Sequence, residues 1–291
     1  MTPPTIAGLV LATPPSLGSY GPLIQEIEAA LRSPQCSLGV IGDIIEKDVD
    51  LTARLLRFSN SAYCGFSTKL STVSEAISLI GIQQVQDMLS ASSVLERFAG
   101  LSSEFVSVQS FWQHSLATGI AARLIALDRR LPKPDRLFVA GLLHDVGRLV
   151  LFLQSPKYAQ MIFEVYGKER LLLRKAEVSA LGFDHQNIGE ALLKSWKYPP
   201  TLVLAVGHHH DPAGCEAARV EAAVVHVADH LVNAMRVGSS GEKFVPPLNS
   251  QAWATIGLTP EALGPIVAGI DEQFDAVQEM FLGETKPEAN A

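Results

Sequence analysis

The stretch FVAGLLHDVGRLVLFL, Phe138 to Leu153, is apolar almost throughout, yet His144 and Asp145 sit side by side in its middle. The segment reads as a buried helix. A buried carboxylate is costly unless something pairs with it. Ala140, Gly141 and Gly147 flank the pair and leave room for other helices to approach closely. The rest of the chain must therefore supply partners for Asp145.

Working outward, almost every patterned segment also reads as helix. Tyr20 to Leu31, Leu38 to Glu46 and Ile82 to Phe98 carry apolar residues near helical spacing. Asp48 is placed as an N-cap, and Thr72 with Glu75 fits a capping box. Further helices are predicted over Phe111–Leu127, Tyr158–Tyr166, Glu169–Leu181, Asp184–Trp196, Pro200–His209 and Ala217–Val237. Alternating runs bounded by Asn-Gly or Asp-Gly turns are absent. The fold class is all-α. Three zones are expected: a helical N-terminal half over 15–100, a histidine-bearing half over 101–237, and a C-terminal extension over 238–291. The extension opens on a Gly/Ser break, GSSGE, has a helix from Thr259-Pro260-Glu261, and closes on a disordered tail.

All eight histidines fall after residue 100: His114, His144, His185, His208, His209, His210, His226 and His230. They lie on five predicted helices or helix ends, together with Asp145 and Asp229. Helical bundles collect metal ligands in this way, one or two from each helix. Imidazole with carboxylate suits Fe, Mn, Co, Ni or Zn rather than Ca or Mg. Each piece also has a plainer reading. A lone His114 is compatible with a core histidine, and His208-His209-His210 with a helix end favoured by the dipole. His226 and His230, four apart, suit either a second ligand group or an amphipathic face. Asp184 reads as the cap of the helix that begins at His185.

Bulk properties narrow the classes. The hydrophobic fraction is 47%, enough for a sizeable core, and aromatics are only 7%, so that core is aliphatic. No uninterrupted apolar run reaches the roughly 18 residues of a membrane span, and the N-terminus carries no basic leader. The chain is read as soluble and cytoplasmic. The three cysteines form no CxxC pair and argue against a disulfide framework. Net charge is -7 with no Lys/Arg-rich block, which argues against nucleic acid as a partner.

The order of the ligand candidates resembles the HD superfamily of metal-dependent phosphohydrolases. It runs His114, His144-Asp145, His185, His209-His210 and Asp229. Its HDOD branch, the HD-related output domain of bacterial signalling, is the nearest likeness. DVDLTARLLRFSNSAYCGF (Asp48 to Phe66) and STVSEAISLIGIQQVQDMLSAS (Ser71 to Ser92) resemble that branch's first-half signature. FWQHSLATGIAARLIA and LGFDHQNIGEALLKSWKYPP resemble its second half. The resemblance implies a signalling output module with protein partners and little or no catalysis. It also implies one or two divalent transition ions on the seven ligands, with Asp145 able to bridge two. The alternative is an active phosphohydrolase acting on a nucleotide or other phosphoester, with Asp145 and Arg148 at its catalytic centre and Arg148 as a phosphate clamp. Two features depart from the cyclic-di-GMP phosphodiesterases of the superfamily: no GYP sequence follows His210, and Arg148 stands where those enzymes have Lys.

Overall fold

The computed structural model describes residues 4–12, 22–33, 35–98, 101–169 and 171–282. Among them there is no strand, and the all-α expectation holds. The expected start at Tyr20 and the tail after Leu282 lie outside the described residues. The described chain divides into two compact units. One draws on Ser19–Arg97 and Asp271–Ala291, the other on Met1–Gly18 and Phe98–Ile270.

Helix α1 covers Ile6–Ala12, α2 Pro22–Leu31, α3 Leu38–Ile45, α4 Val49–Ser59, α5 Val73–Ile80 and α6 Ile82–Phe98. Within the first unit, α3 to α5 bury Ile41, Ile45, Leu55, Phe58, Ala76 and Ile77. Asp48 caps α4 through Leu51 N, and Thr72 with Glu75 forms a complete capping box on α5. Each satisfies backbone donors that a helix start leaves without partners. Arg54 Nη1 donates to Met280 O at 2.9 Å.

The second unit holds α7 Val108–Asp128, α8 Pro134–Leu143, α9 Val146–Gln154, α10 Pro156–Glu169, α11 Leu173–Leu181, α12 His185–Ser195, α13 Pro200–Gly207, α14 Arg219–Met235 and α15 Ser250–Ile256. Helix α16, Pro260–Leu282, runs from this unit into the other. Two helices escaped the sequence reading, α1 and α15, each of seven residues, only about two turns in which to display an apolar stripe. The predicted helix over Phe138–Leu153 is in fact two. It breaks at His144-Asp145, where Asp145 adopts φ -100° and ψ 6°. Pro134–Gln154 has the length and hydropathy of a membrane span, but 89% of its most apolar window is buried inside the protein. It is a pair of successive core helices with a break at the dyad.

Glycines set the closest approaches. A Cβ on Gly141 would stand 2.7 Å from Thr118 O, and one on Gly119 2.8 Å from Phe138 O, so α7 and α8 meet backbone to backbone. A Cβ on Gly147 would stand 2.2 Å from His185 O, which brings the start of α12 against α9.

Candidate metal centre

These approaches gather the seven predicted ligands. His114 comes from α7, which is buried around most of its circumference through Phe111, Trp112, Leu116, Ala117 and Ile120. His144 and Asp145 occupy the break between α8 and α9. His185 is the first residue of α12. His209 and His210 follow α13, and Asp229 lies in mid α14. His114, His144, His185 and His209 are fully buried.

Ligand atoms converge in three overlapping groups, each within 4.8 Å: His114, His144 and Asp229; His144, Asp145 and His209; His185, His209 and His210. His208 is in none of them. Neither are His226 and His230, although both are buried. His226 is committed elsewhere: its Nδ1 donates to His209 O at 2.8 Å and its Nε2 accepts from Asn249 N at 3.1 Å. Asp184 caps α12, accepting from Gln186 N and Asn187 N.

Tautomers are fixed from behind. Nδ1 of His144 donates to Gly141 O at 2.6 Å, that of His209 to Val206 O at 2.8 Å, and that of His185 to Glu177 Oε2 at 2.6 Å. Once the ring is neutral, each Nε2 presents a lone pair inward. His185 Nε2 lies 3.4 Å from His209 Nε2 and 3.2 Å from His210 Nε2. His144 Nε2 is 3.3 Å from Asp145 Oδ2 and 3.5 Å from Asp229 Oδ1, yet it makes no hydrogen bond, and neither does the buried Asp145 Oδ1. Buried polar atoms are nearly always satisfied. Lone pairs facing each other around unsatisfied atoms are what a bound cation resolves, so the residues fit a divalent transition metal. When bound, such an ion supplies Lewis acidity and lowers the pKa of water.

Electrostatics without an ion are balanced internally. Burial pushes the Asp145 carboxyl up, but Arg148, His144 and His185 override it and hold it well below the usual carboxylate range. Asp229 is held down likewise by His114 and His144 against its burial, and Glu177 by His185 and Arg148. Burial lowers His144, but Asp145 and Asp229 raise it to about 10. His185, lowered by burial and Arg148, is raised by Glu177 and Asp145 to about 9. Burial and its imidazolium neighbours keep His209 well below its ordinary value. Three carboxylates thus face Arg148 and two imidazolium rings.

Arg148 is buried and heavily engaged. Nε donates to Glu177 Oε1 at 2.9 Å, and Nη1 to Asp145 Oδ2 at 2.9 Å and Ser240 Oγ at 2.7 Å. Glu177, fully buried, was missed by the sequence reading. Its signal was there: it falls on the buried stripe of α11 with Leu173, Ala176 and Leu181, where a carboxylate demands a partner. The Gly/Ser break is also an ordered strap. Ser239 N donates to Ser110 O at 3.0 Å, and Glu242 accepts from Tyr166 Oη at 2.8 Å and Leu173 N at 2.7 Å. The strap borders a cavity of about 210 Å³ beside the cluster, lined among others by Asp145, His210, Asp229, Arg174, Lys175 and Pro246.

The fold and cluster together define an all-helical protein of HD type. More narrowly, the chain belongs to the HDOD family: the HDOD domain model matches residues 17–212. Among solved structures it is similar to an HDOD domain protein of unknown function from Geobacter sulfurreducens, at 25% identity and TM-score 0.71, covering 91% of this chain and 93% of that one. It also shares its fold with a Shewanella amazonensis SB2B protein described as a candidate phosphohydrolase, at 21% identity and TM-score 0.70, covering 94% and 98%. An uncharacterized protein of Treponema pallidum (strain Nichols) is 25% identical over 189 residues, 64% of this chain and 36% of that longer one.

Proposed function

We propose that this chain is a regulatory HDOD module built around a divalent transition-metal centre, with little or no turnover of cyclic dinucleotides. The ligands are His114, His144, Asp145, His185, His209, His210 and Asp229. One observation carries the reading: ligand atoms of all seven residues gather in three overlapping groups, each within 4.8 Å, in the buried interior. Glu177 and the backbone carbonyls of Gly141 and Val206 orient the rings, and such outer partners contribute strongly to metal affinity. Signalling proteins are the partners this reading assigns.

The cavity favours a second reading, a phosphohydrolase. Asp145, His210 and Asp229 line it at one side, while Arg174 and Lys175 bring positive charge. In that reading Asp145 holds the ion, Arg148 fixes Asp145, and the cavity receives a small phosphoester. Its volume of about 210 Å³ is small for a cyclic dinucleotide, which agrees with the missing GYP sequence. Elemental analysis after mild purification, with a screen of phosphomonoesters and phosphodiesters, tests both. The expected result is at least about one Fe, Mn, Co, Ni or Zn per chain and no hydrolysis of cyclic-di-GMP. Protein that neither carries nor rebinds metal would refute the proposal. Hydrolysis of any phosphoester, lost in Asp145→Asn, would establish the second reading.

A further inference from the structure

We propose that the strap between α14 and α15 is a latch on the cavity. The Glu242 side chain closes it by standing in for an anion, and a ligand's phosphate group opens it by taking that place. The proposal rests on the cavity's taking a phosphate group and not on the metal.

The strap is anchored at its ends and latched in the middle. At one end Ser239 N donates to Ser110 O at 3.0 Å. Gly238, at φ +60°, lies so close to α7 that a Cβ would stand 2.3 Å from Ser110 O. At the other end Asn249 N donates to His226 Nε2 at 3.1 Å. Between them the polar contacts converge on Glu242. Its Oε1 accepts from Tyr166 Oη at 2.8 Å and from Lys243 N and Phe244 N, both at 3.0 Å. Its Oε2 accepts from Leu173 N at 2.7 Å, and Tyr166 Oη in turn accepts from Lys243 N at 2.7 Å. Apolar burial adds little over the following residues: Phe244, Val245 and Leu248 are 45%, 54% and 45% exposed. Glu242, with Ser240 on Arg148, therefore holds the middle of the strap.

The place that Glu242 occupies suits an anion. Leu173 N is the first amide of α11, a helix whose N-cap, Leu172, makes no side-chain cap bond. Free amides and the dipole favour negative charge at such a start. Arg148, Arg174 and the exposed Lys175 line the same cavity. An independent observation also points to a ligand. His230 lines the cavity and is 6% exposed, its Nδ1 bonds His226 O at 2.9 Å, and its Nε2 has no partner. A buried polar atom left unsatisfied beside a cavity is one that a ligand can satisfy. A phosphate monoester carries about -1.5 to -2 charges at neutral pH and three acceptor oxygens. It competes for these donors with the single charge of Glu242, and the two anions repel each other.

The test is amide hydrogen exchange and tryptic cleavage of the chelator-treated full chain. Inorganic phosphate is titrated in one arm and glycerol phosphate in the other. Lys243 is an exposed trypsin site within the strap. Ligand should raise exchange at the Lys243 and Phe244 amides, and cleavage after Lys243, at least about tenfold. The Leu173 amide should stay protected, because phosphate replaces Glu242 there. Opening in both arms assigns recognition to the phosphate group alone, and opening by the ester alone assigns it to a phosphomonoester. Without ligand, Glu242→Ala should expose all three amides. It should also bind phosphate at least about threefold more tightly, which loss of a merely structural contact would not produce. Should Glu242→Ala fail to fold, Tyr166→Phe, which removes one donor to Glu242, carries the same comparison. Lys175→Glu should weaken phosphate binding at least about threefold. Binding that leaves Lys243 and Phe244 protected, no gain in affinity in the folded latch variant, or no binding of either ligand would overturn the proposal. Metal uptake is measured separately, so each of these results leaves the metal-centred reading standing.

Discussion

Glu177→Ala is the substitution with the largest expected effect on the ion-free fold. The Glu177 side chain is fully buried and serves three donors: Arg148 Nε at 2.9 Å, His185 N at 3.0 Å and His185 Nδ1 at 2.6 Å. Truncation leaves Arg148 facing Asp145 alone and strands the His185 donors away from water. Breaking a buried ion pair by removing one partner costs about 3–5 kcal/mol. The stranded donors are part of that loss rather than an addition to it. Total stability of a domain is about 5–15 kcal/mol, so the variant should unfold at much lower denaturant. Glu177→Gln keeps one acceptor oxygen and should lose less. Urea unfolding in the presence of chelator, followed by far-ultraviolet circular dichroism, measures the difference. A loss below about 1 kcal/mol for Glu177→Ala, the size of one ordinary hydrogen bond, would show that the Arg148–Glu177–His185 chain does not hold the site.

Other expectations follow from the same contacts. Asp145→Asn should lower metal affinity at least about tenfold, since losing an outer-shell partner alone does that; chelator competition measures it, and unchanged affinity would remove Asp145 from the ligand set. Metal uptake near neutral pH should release protons, because His144 and His185 are raised to about 10 and about 9 and must give up a proton to ligate. A weakly buffered titration reads this directly, and no acidification would contradict the internal charge balance. By linkage, the stability these two imidazolium rings contribute is complete below about pH 6.5 and is lost as pH rises through 9 to 10. The stability from Asp145 and Asp229 runs the other way, present above their ordinary range and lost in acid. Unfolding midpoints of chelator-treated protein between about pH 2 and pH 10.5 check both limbs. Gly147→Ala should cost about 1–3 kcal/mol, because its Cβ would stand 2.2 Å from His185 O and 2.6 Å from Gly189 N; an unchanged melting temperature would mean that α9 and α12 separate without penalty.

The helices were legible because caps and apolar periods are local. Thr72 with Glu75, Asp48 and Asp184 announce helix starts with the side chains that bond the free N–H groups. The histidines and aspartates stood out because such residues have few reasons to enter apolar helices; the choice of seven among them came from the resemblance to the HD order, and all seven do converge. What the sequence hid was tertiary. The break at His144-Asp145 has no Gly or Pro to mark it. The spacing of His226 and His230 left a second ligand group and an amphipathic face open; the two nitrogens of His226 are spent on backbone groups of residues 209 and 249, which are distant in sequence. The strap over 238–248 carries the composition of a linker, but its order comes from partners that no local pattern names: Ser110, Arg148, Tyr166 and Leu173.

Arg148 shows how this distinction bears on function. From spacing alone it resembles a clamp for a phosphate, a guanidinium three residues after the dyad. In the fold its Nε and Nη1 are committed to Glu177, Asp145 and Ser240, and only Nη2, against His185, retains donor capacity. A phosphate reaching Arg148 must therefore accept a single bond there or displace Ser240. Displacing Ser240 would disturb the strap, and through Asp145 any such shift reaches the metal ligands. An anion in the cavity and an ion in the cluster are thus coupled through one side chain, and each should alter the affinity of the other by the same factor. Inorganic phosphate added to Mn(II)-loaded protein should shift the apparent metal affinity, and Arg148→Gln with Glu177→Gln should abolish the shift. A shift of equal size in that variant would place phosphate on Arg174 and Lys175 alone.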